Sequence, residues 1–186
     1  MIHDDFSAGV GPRGLFSGDE IKVLICYLLM HVSEPLNRDI VSDVVVGGGM
    51  ANYFETGAGL EELIALHNVE EEEDGTLRLT ATGRQAAEAL TARIPLSLRE
   101  RSVSNAHRLL ARRRRERENP VTIERYAEGC MVTCTINDAG MPLMSLKLWV
   151  ADNAQAKLVK ERFIDDPSAL YKMVLDHLTV SGEENI

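Results

Sequence analysis

Asp74-Gly75 lies between two short runs, Val69 onward and Thr76-Leu77-Arg78-Leu79, and it constrains everything around it. Asp-Gly at this spacing predicts a β-hairpin with a type I′ turn. The segments on either side carry helical signals instead. Ser17-Gly18-Asp19-Glu20 reads as a capping box, with Ser17 at N-cap and Glu20 at N3. Ile21, Leu24, Ile25, Leu28, Leu29 and Val32 follow at helical spacing, and Pro35 forbids continuation. Asn37 caps a second helix with Ile40, Val41 and Val44 inward, stopping at Gly47-Gly48-Gly49. Asn52 with Glu55 opens a third, carrying Leu60, Leu63 and Ile64. After the hairpin, Thr80 or Thr82 caps a fourth, with Ala86, Ala87, Leu90 and Ile94 inward and Pro95 closing it.

Three helices, a hairpin and a helix are the order of a winged helix-turn-helix domain, here residues 17–95. The run Leu79-Thr80-Ala81-Thr82-Gly83-Arg84 resembles the wing-to-helix junction of PadR-type and MarR-type bacterial regulators. Gly83 there permits close packing beside the wing. Residues 18 to 180 also resemble a group of short, mostly clostridial winged-helix proteins known as a domain of unknown function. The matching pieces are Asn52-Tyr53-Phe54, Leu60-Glu61-Glu62-Leu63, the Leu-Thr-x-x-Gly run, Arg93-Ile94-Pro95, and a tail from Ala156 to Pro167-Ser168-Ala169-Leu170-Tyr171. The resemblance implies a DNA-binding regulator and names no ligand.

Charge is unevenly placed. The 186-residue chain has net charge −9, which as a single number argues against nucleic acid. Residues 39–77, however, hold ten acids and no Lys or Arg, while residues 78–118 hold eleven arginines against four acids. Such neighbouring segments suggest an internal electrostatic match, a partner site, or both. Apolar residues make up 45% and aromatics only 5%, so the core rests on aliphatic side chains.

The arginines concentrate in a helix, residues 96–119, read as a basic connecting element. Arg112, Arg113, Arg114 and Arg115 are consecutive, and at 100° per residue they cannot share a face, so its tip is expected to be positive all round. Val103, Ala106, Leu109 and Leu110 form a thin apolar stripe suited to one neighbour, such as a second subunit. From Pro120 the pattern alternates. Val121, Ile123, Met131 to Ile136 and Leu143 to Val150 read as strands, with a turn at Asn137-Asp138-Ala139-Gly140. Asp152 caps a helix holding Ala156, Val159 and Phe163, and Asp166-Pro167 starts the last one. The expected fold class is therefore α+β. It comprises a flexible N-terminus (1–16), the winged helix, the basic helix, a small domain (120–180) of antiparallel sheet covered by two helices, and a tail (181–186).

Catalytic and metal signatures do not assemble. Cys26, Cys130 and Cys134 lack a Cys-x-x-Cys or His pairing, and the five histidines are scattered. Gly47-Gly48-Gly49 is not a phosphate loop, since no Gly-Lys-Ser/Thr follows. The acids Glu70 to Asp74 lack EF-hand spacing. The reading is a non-enzyme without cofactor or metal. Sparse cysteines, no secretory signal and no membrane-length apolar run point to the cytoplasm and away from membranes.

Double-stranded DNA is the expected partner, with a homodimer as the expected assembly. The candidate contacts are Asn52, Tyr53 and Thr56 on the third helix, Arg78 and Arg84 flanking the wing, and Arg112, Arg113, Arg114 and Arg115. Against this, Glu55, Thr56, Ala58, Gly59 and Glu62, expected to face outward, include no strong base-reading side chain, and the wing tip is acidic. The alternative is a protein-interaction module retired from DNA, its acidic third helix and wing docking on a basic surface.

Overall fold

Short polar side chains start the first four helices at the residues where the sequence places them. A computed structural model of the chain describes residues 17–179. The expected flexible N-terminus (1–16) and the tail (181–186) lie outside the described residues. Helix α1 (Gly18–His31) opens on a reciprocal capping box between Ser17 and Glu20. In α2 (Arg38–Gly47) the Asn37 side-chain Oδ1 accepts from the Ile40 N–H, and in α3 (Tyr53–Ala65) the Asn52 Oδ1 accepts from the Glu55 N–H. For α4 (Ala81–Leu90) the cap is Thr80, whose hydroxyl accepts from the Gly83 N–H at 3.0 Å.

The hairpin pairs β2 (Val69–Glu71) with β3 (Thr76–Leu79). A two-residue strand without a sequence signal, β1 (Leu36–Asn37), adds to the other edge of β3, with Leu36 opposite Leu77. The sheet order is β1-β3-β2. The turn corrects the type I′ expectation. Only Gly75 has positive φ, at 80°. The Asp74 carboxylate accepts from the Thr76 N–H at 2.9 Å, and Glu72 N–H donates to Thr76 O at 2.9 Å. The loop is therefore three residues long, Glu73-Asp74-Gly75, with glycine in the left-handed position.

The chain divides into two compact units, Met1–Leu110 and Ala111–Ile186. The division falls inside the longest helix, α5 (Leu96–Glu118), which the sequence reading treats as one connecting element. In the first unit α1 is the central element: Ile21, Leu24, Ile25 and Leu28 are fully buried, together with Val41, Val45, Met50 and Ile94 from around it. The first part of α5 closes this core with Leu98 and Ala106, and Val103, Leu109 and Leu110 pack against it. The apolar stripe expected to suit a second subunit is thus consumed by its own unit, because α1 and its neighbours leave a face open to it.

The second unit is a meander of β4 (Val121–Tyr126), β5 (Gly129–Asp138) and β6 (Met141–Val150), in that order, with α6 (Asn153–Asp165) and α7 (Pro167–Thr179). Period-2 alternation buries Cys130, Val132, Cys134 and Ile136 of β5 on one face, where α6 supplies Ala156, Phe163 and Ile164. Leu170 and Tyr171 of α7 are partly buried against the same cluster. Asp152 and Asp166 cap the two helices through the Gln155 and Ala169 N–H groups. Among the described residues the fold is α+β, with seven helices and two three-stranded antiparallel sheets. No helix among them is long and apolar enough to cross a membrane.

Candidate nucleic-acid interface

The N-terminus of α3 carries the most exposed large hydrophobic side chains of the first unit. Asn52 is spent on the cap. Tyr53 and Phe54 stand out at 66% and 83% exposure, edge to face with ring centroids 6.0 Å apart. Thr56, expected to face outward, turns inward and is only 2% exposed; its hydroxyl donates to Asn52 O at 2.7 Å. Gly59 is buried as well, and a Cβ there would sit 3.5 Å from Ile21 and Lys22 of α1. Both corrections have one cause: α1 packs along α3 on the Thr56, Gly59, Leu60 and Leu63 side. The exposed face of α3 is left with Tyr53, Phe54, Ala58, Glu61 and Glu62, and no cation of its own.

The cations nearest this surface are already paired. Lys22 Nζ lies 2.8 Å from Glu62 and 2.9 Å from Asp19, which holds the Asp19 carboxyl below the usual carboxylate range. Arg38 spans three elements, reaching Glu61 of α3 and binding both oxygens of Glu71 on β2. That bidentate contact pushes the arginine further up and the Glu71 carboxyl down. Arg78, a candidate phosphate contact, sits between Glu70 and Glu72 at 3.0 Å from each. Glu70, Glu71 and Glu72 of the hairpin are therefore paired and Arg78 is consumed in that pairing, while Glu73 and Asp74 at the tip make no ion pair with a described residue. Arg84 is different: exposed on the first turns of α4, it makes no ion pair with a described residue.

The arginine run also divides. In the second unit, Arg112 reaches Glu161 and Asp165 of α6 and Glu116 of its own helix, and the Glu161 contact leads in raising its pKa. Arg115 Nε donates to Ile164 O at 2.8 Å. These two arginines fasten the end of α5 to α6, so the expected all-round positive tip does not form. Arg113 is half-buried, and Arg114 is exposed without an ion pair to a described residue. Of the nine candidates, Asn52 and Tyr53 are adjacent at one helix end, and Arg84 and Arg114 keep exposed guanidinium groups. Phe54, more exposed than Tyr53, was missed; its place beside Tyr53 at the helix start was the available signal.

Among the described residues no three His, Cys, Asp or Glu side chains are placed to hold a metal ion, and all three cysteines are free and buried. Burial pushes the Cys26 thiol up to about 11. These are structural thiols in packed apolar surroundings.

Residues 21–178 fit the family described as Domain of unknown function (DUF4364), and the chain belongs to it. No curated protein and no solved structure gives a significant match.

Proposed function

We propose that the first unit is a winged helix-turn-helix domain and that the protein is a DNA-binding transcriptional regulator. One observation carries this reading: the element order α1-β1-α2-α3-β2-β3-α4 with sheet order β1-β3-β2, in which the short strand after α1 pairs with the return strand of the hairpin. In this reading α3 enters the major groove, with Tyr53 and Phe54 leading and its N-terminal N–H groups toward phosphate. Arg84 of the same unit supplies a phosphate contact, while Arg78, Arg112 and Arg115 are held by partners within their own units. Affinity then rests on fewer cations than the arginine count suggests. The second unit is assigned dimerisation or sensing, supported by Met173 and Leu178 of α7, exposed apolar residues at the end of the chain.

The test is selection of bound duplexes from a random library by the full chain and by Arg84→Glu. Enrichment of one motif, lost in the variant, is the expected outcome. An unenriched library overturns the reading.

A second reading rests on the cation-free face of α3. Exposed aromatics beside Glu61 and Glu62 fit a basic protein surface better than a polyanion. Phe54→Asp would then abolish partner capture without affecting the fold.

A further inference from the structure

An open cleft of about 410 Å³ lies in the first unit between α1, α3 and α4. That volume is in the range of small-ligand sites. Its walls are apolar: Val23 and Cys26 from α1, Leu63 from α3 and Leu66 at its C-cap, Ala87 and Leu90 from α4. Its rim is polar, and the rim charges are unequally occupied. Asp19 is tied to Lys22, and Lys22 is shared further with Glu62. Glu20 accepts from the Ser17 N–H in the capping box. Arg93, just beyond α4, lines the same cleft; its charge helps to hold the Asp19 carboxyl down, and no described carboxylate lies within ion-pair distance of it. Asn68 also lines it; its backbone is bonded to Leu63 and Thr80, and its side-chain amide has no partner among the described residues.

We propose that this cleft binds a small apolar carboxylate, its aromatic or short acyl body between α1 and α4 and its carboxylate on Arg93, with Asn68 as a second donor. With Asp19 already bonded to Lys22, the Arg93 guanidinium has its donors free for an anion, and a planar fork matches a carboxylate. The walls select an apolar body too small to need more than the cleft. Leu63 lies in the last turn of the helix whose first turn carries Tyr53 and Phe54, and Leu66 caps its end, so an occupant would bear on that helix directly. The site does not depend on DNA binding.

The test uses the full chain with benzoate, phenylacetate and hexanoate, each against its uncharged amide. Binding is read from methyl resonances of Val23, Leu63 and Leu90 and from the shift in Tm. The expected result is that at least one acid shifts these methyls and raises Tm, with its amide at least tenfold weaker. Arg93→Gln, on an exposed residue, keeps the unliganded Tm and loses the preference for the acid. Ala86→Leu, filling the cleft from α4, removes binding of acid and amide alike. The proposal is overturned if no acid shifts the cleft methyls, if amides bind as well as acids, or if Arg93→Gln leaves the preference intact.

Discussion

Arg38 and Glu71 face each other from α2 and β2, with the guanidinium Nη2 2.7 Å from the carboxylate and Nε 2.9 Å from both of its oxygens. The same guanidinium reaches Glu61 of α3. One side chain thus joins two helices and the hairpin, and it does so where the chain is otherwise most acidic. Like charges gathered on one surface repel, and a bidentate arginine between them converts that repulsion into cross-linking.

Arg38→Ala is therefore expected to cost about 1–2 kcal/mol, more than an isolated surface pair, because it leaves Glu61 and Glu71 uncompensated together. Calorimetry of the variant checks this; a Tm unchanged from the parent would show that the network contributes nothing.

Acid titration follows from the same contacts. Glu71 and Asp19 titrate below the usual carboxylate range because Arg38 and Lys22 favour their charged forms. A lowered folded-state pKa gives stability that is present above the unfolded value and lost as pH falls through the folded one. Stability is expected to decline as pH drops below about 4, the ordinary carboxylate value. Arg38→Ala should flatten that decline, as denaturant melts at a series of pH values would reveal.

Two glycines make opposite predictions. A Cβ on Gly83 would overlap the Asn68 carbonyl, with Asn68 C at 2.8 Å, so α4 can approach the loop after α3 only with hydrogen there. Gly83→Ala should destabilise by about 2–4 kcal/mol. Gly57 lies within exposed α3 with nothing near its Cβ position, and Gly57→Ala should stabilise by up to about 1 kcal/mol. Urea midpoints of the two variants should move in opposite directions.

Cys26 sets an alkaline limit. Its thiol is raised from 9.0 to about 11 by burial, so the unfolded chain loses this proton first. Stability from the protonated thiol is complete below pH 9 and is lost as pH rises toward 11, by up to about 3 kcal/mol. Cys26→Val should remove that alkaline decline, measured as the dependence of Tm on pH.

Local chemistry was legible in the sequence and long-range pairing was not. Ser17, Asn37, Asn52, Asp152 and Asp166 act on N–H groups within three residues, so their caps could be read one by one. Gly83 is legible from its place in the Leu-Thr-x-x-Gly run after the hairpin, although the backbone it approaches, that of Asn68, is distant in sequence. The turn at Asp74-Gly75 was misassigned because Asp74 uses its carboxylate on Thr76 and does not take positive φ. Strand β1 is two residues long, and only its pairing with β3 defines it. Thr56 was placed outward because helical period alone gives spacing without the direction of the neighbour, here α1. For the candidate interface the gap was wider. Arg38 and Glu71 are 33 residues apart, and Arg112 and Glu161 are 49 apart. Which arginines are consumed and which stay exposed therefore emerges only from the fold.

We propose that this fold engages DNA through few cations. The most direct measurement is fluorescence anisotropy of the full chain on a mixed-sequence duplex, across salt from low to physiological. Binding that weakens with salt is predicted, with a shallow slope of about 0.9 per phosphate neutralised and a further loss of about one such unit in Arg84→Ala. No binding at the lowest salt would contradict the account and shift the function of α3 to a basic protein partner.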